Sequence, residues 1–284
     1  MSWRSLFLLR ALLRVSRRVL RRVPAIFLLS VLGLAPLTST PAAEPLLKLI
    51  PEPVPKPIYR QGYDYQSSDI QSLQDDPFSN PGMLWVDEGR ELFDQPAGAK
   101  GQSCRDCHNE PGGVAARYPG VNRRLNKLVS LTGQVQICRE THQNAEPIAH
   151  ESRTALALTA YLAYLSRGRP FEPVPESLEA ELDQGRDYYY QRKGQLNLSC
   201  AQCHEQNAGQ HLRGDLISEG QSTGYPLYRL EWQTLGSLHR RFRACDIGVR
   251  AEPFGLGSEP YNRLELYLRS RSQLLPISAP AVRK

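Results

Sequence analysis

With 284 residues the chain has room for about two ordinary domains. Its 40% hydrophobic content, with 22 prolines and 21 glycines, excludes a collagen-like or wholly disordered polymer. The formal charge of +6 invites a polyanionic partner, but residues 1–43 hold seven arginines and no acidic side chain, and the 241 residues beyond carry 28 basic against 29 acidic ones. That remainder is close to neutral, so binding to nucleic acid loses its support.

In chain order the first element is an export signal, residues 1–43. Arg4, Arg10, Arg14, Arg17, Arg18, Arg21 and Arg22 precede an apolar run from Ala25 to Leu37, which is followed by the small residues Pro41-Ala42-Ala43. Thirteen residues containing Pro36 are too short to cross a hydrocarbon layer of about 30 Å as a helix. Cleavage near Ala43 is expected, with no stable membrane insertion afterwards; an uncleaved anchor is the alternative, given the long basic stretch. Arg17-Arg18 leaves the export route open between two systems. Residues 44–77 follow, with five prolines between Pro45 and Pro57, and read as an extended N-terminal arm.

The six cysteines are not spaced as a disulfide framework. Four fall in two copies of Cys-x-x-Cys-His, Cys104 to His108 and Cys200 to His204. Sulfurs three positions apart share a face of a helical turn, each placed to add to a haem vinyl group, and the next residue turns an imidazole toward the iron. Two covalently bound haem c groups are therefore expected, on Cys104, Cys107 and His108 and on Cys200, Cys203 and His204. A zinc ribbon is the alternative, but its pairs usually stand about 15–20 residues apart and need no adjoining histidine. Covalent haem attachment of this kind takes place outside the bacterial inner membrane, which with the export signal points to the periplasm.

The chain also repeats itself. Gly89-Arg90-Glu91 and Gly185-Arg186-Asp187 each stand fifteen residues before a haem motif, with Ser103 and Ser199 in register. Each opening helix presents an aromatic ring, Phe93 or Tyr189, expected to face the porphyrin. A lone cysteine follows each motif, Cys138 or Cys245, then Ala-Glu-Pro, then an apolar helical pattern from Thr154 to Arg167 or Tyr261 to Arg271. The expected fold is all-α: two tandem cytochrome c-like haem domains, 78–170 and 171–284, joined by a proline-rich linker from Arg169 to Glu176. About 100 residues make a thin core, which a haem would complete.

The second axial ligand decides what such a protein does. A His/Met pair suits a high-potential carrier, but the only methionines are Met1 and Met83, both before the haem motifs. His142, His150, His211, His239, Cys138 and Cys245 remain. The histidines do not occupy matching places in the repeats; the cysteines do, 31 and 42 residues after the second haem cysteine. They read as thiolate ligands, with a disulfide between them as the alternative.

The stretch from Arg241 to Pro253, running on to Leu264-Glu265-Leu266-Tyr267-Leu268, resembles the dihaem A-subunit family of the SoxAX cytochromes. The resemblance extends through Gln136-Ile137-Cys138-Arg139-Glu140 and both haem motifs. It implies an L-cysteine S-thiosulfotransferase, which joins thiosulfate oxidatively to a cysteine of a SoxYZ-like carrier protein and sends the electrons through haem. It also implies a SoxX-like monohaem cytochrome c as partner. Carried over, it makes His108 and Cys138 the axial ligands of the first haem, and His204 and Cys245 those of the second. Cys245 is then the catalytic cysteine, found in the family as a persulfide, and Arg241 contacts substrate. Physical chemistry agrees: an anionic substrate needs fixed positive charge, and Arg241, Arg243 and Arg250 flank Cys245. At least one of the three is expected to serve haem propionates instead. A thiosulfate dehydrogenase forming tetrathionate, or a dihaem electron-transfer module without sulfur chemistry, are the alternatives.

Overall fold

A glycine inside a helix is costly unless its neighbours need the missing side chain. The computed structural model describes residues 59–284, and in it Gly89 and Gly185 answer such a need. The first half holds α1 (Ser68–Asp75), α2 (Met83–Asp94), strands β1 (Gly120–Asn122) and β2 (Lys127–Val129), α3 (Leu131–Cys138) and α4 (Arg153–Tyr164). The second holds α5 (Glu179–Tyr190), α6 (Cys200–His204), β3 (His211–Leu212), β4 (Asp215–Leu216), β5 (Leu227–Arg229), β6 (Thr234–Gly236), α7 (Leu238–Gly248), α8 (Glu259–Arg271) and β7 (Ala281–Arg283). α2 packs across α4, and α5 across α8. A Cβ on Gly89 would stand 2.1 Å from the Ala157 carbonyl oxygen, and one on Gly185 2.1 Å from that of Arg263, so both crossings are closer than any side chain allows. Phe93 and Tyr189, expected to face a porphyrin, pack into these crossings on Tyr161 and Tyr267, with ring centroids 5.5 and 5.2 Å apart.

The halves match in a register that changes twice. Gly89, Phe93 and Ser103 correspond to Gly185, Tyr189 and Ser199 at an offset of 96. The β3–β4 hairpin has no counterpart in the first half, and beyond it Ser130 and Cys138 correspond to Ser237 and Cys245 at an offset of 107. The helix carrying Cys138 then closes in a π-helical turn, Arg139–Gln143, which takes up one extra residue. From there Tyr161 corresponds to Tyr267 at an offset of 106. Serine caps mark the matching helix starts: Ser130 accepts from Gly133 N, and Ser237 from Arg240 N.

Three departures from the sequence reading stand out. The fold is helix-rich but not all-α: β1 pairs with β2, β3 with β4, and β5 lies between antiparallel β6 and parallel β7. Strands of two or three residues leave no alternation for a sequence pattern to reveal. The arm is not extended throughout, for Gly62–Tyr65 forms a 3-10 turn and Ser68–Asp75 a helix; the export signal and Pro45 to Pro57 lie outside the described residues. The connector from Arg169 to Glu176 is no free linker. Arg269, 2% exposed, donates to the carbonyls of Arg117, Pro119, Glu172 and Pro173.

The halves interlock elsewhere too. Ile277, Ala279 and Leu235 of the second half join Trp85, Phe93, Leu156 and Leu158 in the first half's core. Gln74 of α1 accepts from Val282 N and from Arg283 at the far end of the chain. Among the described residues no helix is long and apolar enough to cross a membrane.

Candidate haem and thiolate site

The second haem motif is a preformed turn of helix. Ser199 caps α6 through a reciprocal pair with Gln202, and Cys200 and Cys203 then fall three positions apart on one side. The Nδ1 of His204 lies 2.7 Å from the Ser218 carbonyl, which can accept only a proton-bearing nitrogen. That contact puts the proton on Nδ1 and leaves Nε2 free to bind a metal. Burial, with the charges of Arg241 and Arg271, lowers the His204 pKa, and the contact with Ser218 opposes the fall. Burial pushes the Cys200 thiol up to about 12 and raises that of Cys203, with the charge of Cys245 adding to both. Uncharged sulfurs in a half-buried cradle and an imidazole with a free Nε2 fit a covalently bound haem c.

Helix α7 brings the remaining groups. Arg241 and Cys245 are four residues apart and share one face, both half-buried, and the thiolate charge of Cys245 is the main cause of the raised Arg241 pKa. Arg243 and Arg250 are not gathered with them. Arg243 is exposed and two positions from Cys245, on the opposite side of the helix. Arg250 lies past the helix end at φ +58° and reaches Gln195 at 3.4 Å.

Next to Cys245, Asp246 is buried and accepts from the hydroxyls of Tyr188 at 2.8 Å and Tyr261 at 2.7 Å. Lys193 Nζ stands 3.0 Å from its other oxygen and 3.3 Å from the centroid of the Tyr188 ring. Burial, then the bond to Asp246, hold both phenols far above their usual pKa.

The first motif is built differently. Cys104 to Cys107 form a turn rather than a helix, with Cys107 and His108 exposed. Burial raises the Cys104 thiol, and the charge of Cys138 adds to the rise. Gln134, the counterpart of Arg241, points its amide at Cys138 Sγ, 3.1 Å away, and Arg139 stands where the second half has Asp246. Counting the repeat back from Cys138 and Cys245, instead of from the haem motifs, would have shown that contrast in the sequence. Ser218, Tyr188 and Lys193 carried no such signal.

All six cysteines are free, which leaves no disulfide between Cys138 and Cys245. Among the described residues no three His, Cys, Asp or Glu side chains gather as a metal cage. His150 and His239, weighed above as ligands, are stacked on each other instead, with centroids 5.0 Å apart.

Residues 88–171 match the SoxA/TsdA cytochrome c domain. The L-cysteine S-thiosulfotransferase subunit SoxA of Rhodovulum sulfidophilum is 37% identical over 79% of this chain and 80% of its own length. The chain belongs to the SoxA family. The SoxA subunit of Paracoccus pantotrophus is 33% identical over 78% of each chain. The crystal structure of SoxXA from P. pantotrophus superposes with a TM-score of 0.76 at 32% identity, covering 80% of this chain and 87% of that one. Membership of the SoxA family brings with it a cytochrome c domain and hence covalently bound haem c.

Proposed function

We propose that the chain is the thiosulfate-conjugating subunit of a periplasmic L-cysteine S-thiosulfotransferase, joining thiosulfate to a cysteine of a SoxYZ-like carrier and pairing with a SoxX-like monohaem cytochrome c. In this reading it holds two haem c groups. The first would be held by Cys104, Cys107, His108 and Cys138, the second by Cys200, Cys203, His204 and Cys245. When bound, haem c at the second motif would supply a one-electron acceptor, and the two electrons of the oxidation would leave through it in turn to the partner cytochrome. Residues 1–43 direct export and are removed.

The observation that carries the reading is Arg241 on the same face of α7 as Cys245, beside the second motif. A guanidinium presents paired donors to the sulfonate end of thiosulfate and leaves the sulfane end toward Cys245. The Cys245 thiolate bonds to the sulfane sulfur with loss of two electrons, giving a Cys245 thiosulfonate. A carrier thiolate then attacks that sulfane sulfur, the bond to Cys245 breaks, and Cys245 returns to thiolate. The first motif offers Gln134 where a cation would be needed, which supports a role in electron passage rather than conjugation.

Replacing Cys245 with Ala tests this. With carrier and partner cytochrome present, thiosulfate-dependent haem reduction is expected to fall to background. Near-normal turnover, or tetrathionate as the product without carrier, would overturn the assignment.

A further inference from the structure

The register that sets Arg241 against Gln134 exposes a second contrast. Thr132 and Thr159 join α3 to α4 through hydroxyls 3.1 Å apart. At the matching positions, 107 and 106 residues on, stand His239 and Glu265, and His239 Nε2 lies 2.9 Å from Glu265 Oε2. A neutral bridge in the first half is thus an imidazole–carboxylate bridge in the half that carries Cys245.

His239 is 1% exposed. Its Nδ1 accepts the Gly257 N–H at 3.0 Å, and its ring lies parallel, within 8°, to that of His150. His150 and Glu151 come from the first half, in the loop before α4. Glu151 accepts from Ser237 N, the N-cap residue of α7, at 3.1 Å, and stands 4.0 Å from Arg240. The first turn of α7 is therefore gripped both by α8 and by the first half, with Arg241 two residues and Cys245 six residues beyond His239.

We infer that His150, Glu151, His239 and Glu265 form a clasp that fixes the placement of α7, making them positioning residues for Arg241 and Cys245. The inference rests on the function proposed above for that pair. Stability alone does not account for the clasp: a buried carboxylate set against an imidazole gains little over a neutral or apolar pair of similar size, and the threonines show that this junction closes without charge. What the carboxylate version adds is orientation, because an imidazole whose Nδ1 takes the Gly257 N–H and whose ring is stacked on one face cannot turn, whereas a threonine hydroxyl rotates.

The repeat itself supplies the test. In the haem-loaded complex, the double variant His239→Thr/Glu265→Thr installs the first half's own bridge and should keep its melting temperature within a few degrees. Its kcat for thiosulfate conjugation is expected to fall roughly tenfold to a hundredfold, with KM held within about twofold. Amide exchange over residues 238–248 should quicken, and the low-spin ferric resonance of the second haem should shift while that of the first does not. His150→Phe keeps the stacked ring but removes the Nδ1 that stands 3.9 Å from Glu151 Oε1, the oxygen that accepts from Ser237 N, and should quicken the same exchange. Wild-type kcat, exchange and resonance in the double variant would reduce the clasp to simple packing and overturn the inference. If that variant fails to fold, unchanged exchange and resonance in His150→Phe would do the same. A wild-type complex that conjugates no thiosulfate would sink the proposed function instead, with exchange and resonance left to judge the clasp.

Discussion

Arg241 and Gln134 sit one helical turn before the two cysteines that face the haem motifs, and their difference is a charge. Because the first half already accommodates glutamine there, with its amide 3.1 Å from the sulfur, Arg241→Gln should fold and keep its haem. Loss of a preorganised cationic partner for an anionic reactant costs about 10² in rate in comparable sites. A fall in kcat/KM for thiosulfate of that order is expected in steady-state assays of the complex, and a change under threefold would count against substrate binding by Arg241. The candidate site residues were legible because the Cys-x-x-Cys-His motifs and the Arg241–Cys245 pair are local spacings. Glu151 and Ser218 were not: each meets its partner, Ser237 or His204, only after the chain has folded back, and an isolated acid or serine carries no spacing signal.

At the level of elements, the crossed pairs α2–α4 and α5–α8 were foreshadowed by repeated glycines and apolar helical stretches, although the reason for the glycines emerges only from the crossing. Gly185→Ala puts two effects in opposition. Alanine favours the helix by about 1 kcal/mol, but a methyl group 2.1 Å from the Arg263 carbonyl must push the helices apart at about 3 kcal/mol. The clash wins, and a net loss of about 2 kcal/mol should lower the melting temperature by roughly 4–8 °C. An unchanged or raised value would show that the crossing is looser than described. The small sheets escaped prediction for the opposite reason: no pattern fits into three residues, and β7 finds β5 more than fifty positions back in the sequence.

For the whole molecule, prolines between Arg169 and Glu176 suggested two bodies on a tether, whereas the tether is bound down along its length. Its hold centres on a single buried guanidinium serving four carbonyls, two before the tether and two within it. Arg269→Ala strands those carbonyls at a cost of about 1–3 kcal/mol for each left unsatisfied. The variant should therefore melt earlier by several degrees and be nicked by protease near Glu172. Resistance to cleavage equal to that of the unsubstituted chain would mean that the core contacts of Ile277 and Ala279 hold the halves without it.

Carbonyl oxygens have no proton to surrender, and an arginine keeps its own throughout the range in which proteins function. This part of the fastening is thus indifferent to acidity, unlike the imidazoles and carboxylates that grip the start of α7, and its burial shelters it from dissolved ions. As the medium acidifies or turns saline, the hold of Arg269 on Arg117, Pro119, Glu172 and Pro173 therefore stays as it is.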